Sequence, residues 1–269
     1  MDWMWKALLT AAAVSLVMLL ARKGGRRAAG MVAALPTVTA PALAWLAHDR
    51  GNGFAADAGI ASVAACAMLA AFAVAHAHVA RHRGVVTTLC CGIVAAALFA
   101  VPAALASTRL IAAIALAVFS CVLALLCLPL PPRHALLPAR TPLAATVLAA
   151  ACLGMLTAAA APLFDSFVAG MLASLPLISG AVAVTEHAAT GHAGVAQFLR
   201  GYVAGLLARA TFCSAFALLA VPLGWVAASG VAALCAAGLG LLVSQLRKRY
   251  VRPHPAPAWS IFLRVRRMR

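Results

Sequence analysis

Long apolar runs separated by short polar breaks follow one another along nearly the whole chain. Seven of these runs are clearly bounded, and each is near the ~20 residues with which an α-helix crosses a membrane. They lie at 4–21, 29–47, 58–80, 85–105, 109–129, 143–163 and 167–186. The breaks contain turn residues and charges, as in Gly51-Asn52-Gly53 and Arg81-His82-Arg83-Gly84. The pattern predicts an all-α, polytopic transmembrane helical bundle.

The apolar run at 195–246 is harder to divide, and charge decides between two ways of dividing it. Arg200, Arg209 and the Pro222-Leu223-Gly224 break interrupt the run, which fits two long helices or three short ones. Basic loops of membrane proteins tend to stay on the cytoplasmic side. An outside N-terminus puts three basic loops there, at 22–27, 81–83 and 130–140. The basic tail returns to that side with nine spans, so nine is preferred over ten.

Two segments of the chain are nearly identical at an offset of 140 residues. Residues 29–36 read Ala-Gly-Met-Val-Ala-Ala-Leu-Pro, and residues 169–176 read Ala-Gly-Met-Leu-Ala-Ser-Leu-Pro. The segments fall in spans 2 and 7, which are five spans apart. Because this number is odd, the two copies have opposite orientations in the membrane. The sequence therefore predicts an inverted repeat, a frequent design of transport folds. Its predicted parts are a first membrane repeat at 1–132, a cytoplasmic linker at 133–142, a second membrane repeat at 143–248 and a basic cytoplasmic tail at 249–269.

The second copy is shorter than the first. The glycines Gly51 and Gly191 still match at the offset of 140, whereas Val101-Pro102 and Val221-Pro222 match at an offset of only 120. The missing stretch falls between predicted helices 8 and 9. It fits a lost or fused helix.

Composition supports a membrane protein and argues against several soluble classes. The chain is 65% hydrophobic and 10% charged, and its mean hydropathy is +1.03. The net charge of +16 is concentrated in short loops and in the tail, where it sets topology and does not suggest nucleic-acid binding. The sequence contains no nucleotide-binding loop and no common hydrolase motif, so no catalytic residue, metal or cofactor is expected. The cysteines fall in apolar runs, as expected of small packing residues.

A block of short motifs in the first copy resembles the GlpM-like family of small bacterial inner-membrane proteins. The motifs are Ala29-Gly30-Met31, Leu35-Pro36-Thr37 and Ala47-His48, with a partner block at 169–176. The second copy keeps the proline, but Leu177 replaces the threonine. The resemblance implies a membrane fold and no mechanism. The two-copy layout is also similar in architecture to the drug/metabolite transporter superfamily.

Prolines and hydroxyl residues at matching places in the two copies are the first candidates for a substrate site. Paired interrupted helices often line such sites near the membrane midplane, and a proline interrupts a helix by freeing a backbone carbonyl. The candidates are Pro36, Thr37 and Thr39 in the first copy and Pro176 and Ser179 in the second. The alternative is that the prolines only shape packing while the hydroxyls bond to their own helix.

Charged residues inside the apolar runs complete the candidate set. Glu186 ends span 7, where an embedded carboxylate would suit proton coupling, although an interfacial glutamate paired with Arg200 is the alternative. With nine spans Arg209 lies near the midplane and could bind a phosphate or a carboxylate; with ten it lies near an interface. His76 and His78 are expected in an interfacial polar cluster, with their rings on different faces of the helix.

These features favour a secondary transporter or carrier of a small or lipid-linked anionic substrate in a bacterial inner membrane, with the N-terminus outside and the C-terminus cytoplasmic. Its two inverted halves would rock around a site between spans 2 and 7. A non-transporting accessory or scaffold protein of envelope biosynthesis is the main alternative, and an intramembrane lipid-modifying enzyme is the third. The expected partners are membrane lipids and the substrate, with a homodimer left open and no nucleic acid.

Overall fold

The computed structural model describes residues 26–36, 39–130, 164–174 and 177–250. Helices make up nearly all of these ranges, and no strand occurs within them. The predicted all-α fold is confirmed for this part of the chain. The predicted spans 4–21 and 143–163, the linker 133–142 and most of the tail lie outside the described residues.

The described helices follow one another with very short connections. The first is α1 at 26–33. It is followed by α2 (Thr39–Arg50), α3 (Asn52–Val79), α4 (Val85–Leu98), α5 (Ala100–Ala106), α6 (Leu110–Cys127) and α7 (Ser166–Ser174). The stretch Leu177–Tyr250 has non-helical backbone at Gly191 and Gly224. These two glycines divide it into α8 (177–190), α9 (192–223) and α10 (225–250).

Four apolar stretches among the described residues are long enough to cross a membrane. They are Asn52–Val79, Val85–Ala106, Leu110–Cys127 and Val182–Gly240. Many large apolar side chains on these helices face outward, including Val86, Ile111 and Leu126, which are 75%, 84% and 78% exposed. Such a surface suits lipid and is unfavourable in water. The chain is therefore a helical membrane protein.

α3 and α9 form the central pair of the bundle and run antiparallel. The first half of α3 (55–68) shares a buried core with the second half of α9 (210–220). The second half of α3 (69–77) shares the other core with the first half of α9 (195–206). At the crossing, the Cys66 thiol lies 3.9 Å from the carbonyl oxygen of Leu206. Residues 66 and 206 are 140 apart, so equivalent positions of the two sequence copies meet each other.

Helix boundaries recur at the offset of the sequence repeat. α1 and α7 are short, and α2 and α8 each end at a glycine with positive φ, 90° at Gly51 and 68° at Gly191. A side chain is strained at such φ values, so glycine is the residue that lets the chain change direction there. A long helix begins immediately after each glycine. The predicted span 29–47 contains the end of α1 and the start of α2, as expected from the helix-breaking Pro36.

The two copies differ after their long helices. In the first copy α3 is followed by the loop 80–84 and then by α4 and α5. In the second copy Gly224 alone connects α9 to α10. No equivalent of α4 and α5 stands between α9 and α10, which agrees with the shorter second copy expected from the sequence.

Glycines let α1 and α7 approach the long helix of the other copy at backbone distance. A Cβ atom on Gly30 of α1 would collide with the carbonyl oxygen of Phe198 in α9. A Cβ atom on Gly170 of α7 would collide with the carbonyl oxygen of Ala58 in α3. Residues 30 and 170 are equivalent in the repeat, and so are 58 and 198, so the two contacts are reciprocal. Small residues at helix crossings are the usual means of close packing in membranes.

Substitution of either crossing glycine by alanine should lower the stability of the bundle. Gly30→Ala and Gly170→Ala each force a methyl group against backbone, and such overpacking costs roughly 1–3 kcal/mol. Gly238→Ala is the matched control, because an added Cβ there has nothing within 4 Å. Thermal unfolding in detergent should give lower midpoints for the two crossing variants than for the control. Equal midpoints for all three would contradict the close approach of these helices.

Candidate functional site

Arg209 lies in the middle of α9 and is buried inside the bundle, with 5% of its surface exposed. α9 is continuous from 192 to 223, so Arg209 is attached about 26 Å from the start of the helix and about 21 Å from its end at 1.5 Å per residue. Its Nη2 donates a hydrogen bond to Oγ1 of Thr39, which is fully buried at the start of α2. Among the predicted site residues, the structure therefore brings Arg209 and Thr39 into direct contact.

The first-copy helix interruption lies beside this guanidinium. α1 ends at residue 33, Leu35 and Pro36 are non-helical, and α2 begins at Thr39. The carbonyl oxygen of Pro36 accepts a hydrogen bond from the Ala40 amide at 2.7 Å. The N-terminus of a helix carries a positive partial charge. The start of α2 and Arg209 thus place two positive groups at one point, which favours a negatively charged ligand there.

α3 and α7 add polar atoms to the same central layer. The Ser62 hydroxyl donates to the carbonyl oxygens of Ala58 at 2.9 Å and Gly170 at 3.0 Å. The Cys66 thiol lies 3.6 Å from the carbonyl oxygen of Ser62 and close enough to Arg209 to interact with its charge. We refer to Thr39, Ser62, Cys66 and Arg209 as the central polar group. Both sequence copies contribute to it, because the first three belong to the first copy and Arg209 to the second.

The described cysteines divide between the interior and the surface. Cys66, Cys121 and Cys213 are buried, as expected of packing residues, whereas Cys90, Cys127 and Cys235 are exposed on apolar helices. Cys213, one turn beyond Arg209 on α9, also lies within range of its charge. The thiols of Cys66 and Cys213 therefore give the guanidinium neighbours that are less polar than water.

Glu186 belongs to a second polar cluster, away from Arg209, which we name the basic end. The basic end is the place where Arg26, Glu186 and His187 lie near Ala80, the residue that precedes the basic segment 81–83. Nε of Arg26 donates to Oε2 of Glu186 at 2.9 Å, and the two side chains are only 9% and 11% exposed. The Thr190 hydroxyl donates to the Glu186 carbonyl oxygen at 2.7 Å and lies 3.3 Å from its Oε2. Since Arg26 starts α1 and Glu186 lies in α8, this ion pair connects the two copies.

The expected alternative partner of Glu186 is wrong. Arg200 instead donates from Nη1 to the carbonyl oxygen of Leu128 at 2.6 Å, at the end of α6. The Arg200 side chain thereby caps the C-terminus of α6, where a positive charge is favourable. Its role is structural, and it leaves Glu186 to Arg26.

The two histidines at the end of α3 have different surroundings. His78 is exposed, and its Nδ1 lies 2.9 Å from the carbonyl oxygen of Val74. His76 is fully buried and packs against the ring of Phe72 at 5.3 Å and the ring of His187 at 6.0 Å. The prediction that the two rings diverge is confirmed. The prediction of a shared interfacial cluster is wrong for His76, because α8 and α9 cover that face of α3.

The remaining predicted residues are placed only in part. Pro36 is half-buried in the interruption beside Thr39. Thr37 and Pro176 lie outside the described residues, and for Ser179 the structure describes only the backbone, in α8. Sequence reasoning missed Arg26, because loop arginines are read as topology signals, and it missed Ser62 and Cys66, which look like ordinary small residues in an apolar run. The sequence signal that could have pointed to Cys66 is the offset of 140 between the copies, because the equivalent residues Cys66 and Leu206 meet in the structure.

Removal of one partner of the Arg26–Glu186 pair should destabilise the protein more than removal of both. Glu186→Gln and Arg26→Gln each leave one buried charge with its main partner gone, at a cost of about 3 kcal/mol. The double variant leaves no such charge and should lose clearly less than the sum of the two. Unfolding free energies of all four proteins in mixed micelles would measure the coupling. Strictly additive losses would show that the two side chains do not interact.

Comparisons with protein-family models, with curated proteins and with solved structures gave no match to this chain. The resemblance of residues 29–36 and 169–176 to the GlpM-like family therefore stays a prediction from short motifs. What this protein does has to be argued from the central polar group and the basic end.

Proposed function

We propose that this protein is a secondary transporter or carrier that moves a small or lipid-linked anionic substrate across a bacterial inner membrane. The observation that carries the proposal is the burial of Arg209 in the middle of α9, beside the start of α2. A guanidinium at the centre of a membrane helix costs about 2.5–3.5 kcal/mol on insertion scales. Charges kept at that cost line substrate or ion pathways far more often than they stabilise a fold.

The chemistry of the central polar group supports an anion as the substrate. Arg209 presents a planar fork that matches the two oxygens of a carboxylate or phosphate. The start of α2 adds backbone amides with positive partial charge, and the hydroxyls of Thr39 and Ser62 can orient a bound oxygen. With one guanidinium, the group suits a substrate with one anionic head. A sugar phosphate, a carboxylic acid and a phospholipid headgroup share that chemistry.

Contacts among the described helices support two inverted halves. α3 and α9 are equivalent in the sequence repeat and run antiparallel, and the equivalent residues Cys66 and Leu206 meet at their crossing. The reciprocal contacts of Gly30 and Gly170 fit a two-fold axis through this point. An axis that relates antiparallel membrane-crossing helices lies in the plane of the membrane, which is the arrangement of inverted-repeat transporters.

The same arrangement fits nine spans. Residues 26–50 and 166–190 would be broken crossings, and α3, α4–α5, α6, α9 and α10 would be further ones. Together with the predicted spans 4–21 and 143–163 they make nine. The basic end and the basic tail then lie on one side, which is cytoplasmic by the charge rule.

Transport would proceed by movement of the two halves around the Cys66–Leu206 crossing. α1–α2 and α7–α8 lie beside the long helices of the opposite copy, so a rocking motion changes access to the central polar group. Gly51 and Gly191 are suitable joints, because nothing lies within 4 Å of a side chain at either position. The Arg26–Glu186 pair would hold the basic end closed in the present conformation.

Loss of the central guanidinium should abolish transport. In proteoliposomes, the protein should accelerate uptake of at least one labelled anion from inorganic phosphate, succinate and glucose 6-phosphate, or transfer of a fluorescent phosphatidylglycerol between leaflets. Arg209→Gln should lower that rate roughly 100-fold, the equivalent of about 3 kcal/mol of lost charge-assisted hydrogen bonding. Thr39→Val should lower it less, and Thr39→Ser should retain it.

Arg200→Gln is the matched control, because Arg200 lies on the same helix and bonds only the end of α6 among the described contacts. The proposal fails if none of these anions moves, or if Arg209→Gln transports as well as Arg200→Gln. A scaffold protein would show a different pattern in cells. Gly170→Leu would then abolish function while Arg209→Gln and Glu186→Gln retained it.

A further inference from the structure

His76 stands out in the basic end as a fully buried polar side chain without polar contacts. It is 0% exposed, and within the described residues neither of its ring nitrogens has a hydrogen-bond partner. A buried polar group left unsatisfied costs about 1–3 kcal/mol relative to one that is hydrogen-bonded. A leucine or phenylalanine would fill the same space without that cost. Packing alone therefore does not explain a histidine here, and such an exception points to a function.

His187 gives His76 a titratable neighbour on the other sequence copy. The two rings meet edge to face with their centroids 6.0 Å apart. His187 bonds the backbone of Ala80 on one side, while its Nδ1 is buried and unsatisfied within the described part of the chain. His187 follows Glu186 directly in α8, so His187 and the carboxylate of the Arg26–Glu186 ion pair belong to the same turn of that helix. Phe72, 5.3 Å from His76, offers an aromatic ring that can stabilise a cation.

We propose that His76 and His187 form the site at which the transporter takes up its coupling proton, and that this proton releases the Arg26–Glu186 pair. The inference rests on the proposed function. One proton from water at the basic end binds a ring nitrogen, and the imidazole becomes an imidazolium. The Glu186 carboxylate then has a second cation to bind. As it turns toward the imidazolium it gives up the Arg26 Nε–H, and α1 is no longer tied to α8.

The charges around the pair fit this exchange. The packed elements contribute Glu186 from α8, His192 and Tyr202 from α9, Arg26 and Arg27 from α1, and Cys121 from α6. Glu186 is the acidic member of this set, so an added positive charge has one carboxylate to attract. While the ion pair is closed, the Glu186 carboxylate is bound to Arg26 and is not available to stabilise an imidazolium. Proton uptake and opening are therefore linked, because each becomes more favourable once the other has occurred.

A proton fits the pair better than a metal ion does. Structural and catalytic zinc sites use three or four protein ligands in a fixed geometry. Two imidazoles supply only two ligands to one metal ion, whereas a proton needs one nitrogen and a neighbour that can accept its hydrogen bond. Histidine is also the side chain that ordinarily changes charge in the physiological pH range.

The distance between α1 and α8 in the full chain tests the proposal without knowledge of the substrate. Spin labels at cysteines introduced at Ala28 and Ala189, in a background with the native cysteines replaced, report this distance in lipid nanodiscs. It should be longer at acidic than at mildly alkaline pH, on either side of the range in which histidine titrates. His76→Phe and His187→Phe should each keep the short distance at both pH values. His78→Phe, on the exposed face of the same helix, should keep the wild-type response.

Two further measurements keep the test decisive. Arg26→Gln/Glu186→Gln lacks the ion pair and should show the long distance at both pH values. Nitrogen-15 NMR of labelled histidine should show a titrating signal that His76→Phe or His187→Phe removes and His78→Phe does not. The proposal is overturned if the wild-type distance ignores pH, or if it still responds in both His76→Phe and His187→Phe.

Failure of this inference can be told apart from failure of the proposed function. If anion uptake in proteoliposomes is equal with and without a proton gradient, and the α1–α8 distance does not depend on pH, the coupling site is rejected and the transporter is retained. If the distance depends on pH but the protein moves no anion and no lipid, the protonation site is retained and the transporter is rejected.

Discussion

The antiparallel contact of α3 and α9 at Cys66 and Leu206 is the interaction on which the rest of this bundle depends. Both helices are rich in alanine and glycine, so their backbones approach closely enough for a thiol of one to reach a carbonyl of the other. In a membrane, where apolar surface is not driven together by water, such contact area is the main source of helix association. The glycines at 30 and 170 extend the contact to α1 and α7, which thereby lie across the opposite long helix.

The buried side chains of the described residues are almost all apolar, and this makes the polar groups among them informative. Arg209 is a cation in an apolar interior, and it reaches Thr39 at the point where α1 has ended and α2 begins. The interrupted helix thus supplies both the space and the positive helix end. The basic end contains the buried ion pair of Arg26 and Glu186. This pair joins α1 to α8, and separation of these two helices would open that side of the bundle.

The sequence predicted some features well because they depend on local chemistry. Helix type and length follow from apolar runs, and the interruption at Pro36 follows from the missing amide of proline. The ends of the predicted spans 29–47 and 167–186 were placed too early, because α2 continues to Arg50 and α8 to residue 190 before a glycine with positive φ ends each helix. The sequence could not show whether Arg200 or Arg26 is the partner of Glu186, since that depends on which helix end packs on α8. His76 and His78 show the same limit, because two residues of one helix turn received different surroundings.

The sequence by itself determined that this is a helical membrane protein, that two of its segments are related at an offset of 140, and that Arg209 and Glu186 stand in apolar surroundings. These features follow from composition and residue order. Apolar segments form helices in a membrane because their backbone groups must be hydrogen-bonded within each segment. Only the tertiary structure decided that Cys66 meets Leu206, that Thr39 meets Arg209 and that a histidine of α3 is sealed against one of α8. Those contacts depend on how closely small residues let particular helices approach, and no residue's own neighbours in the chain specify that.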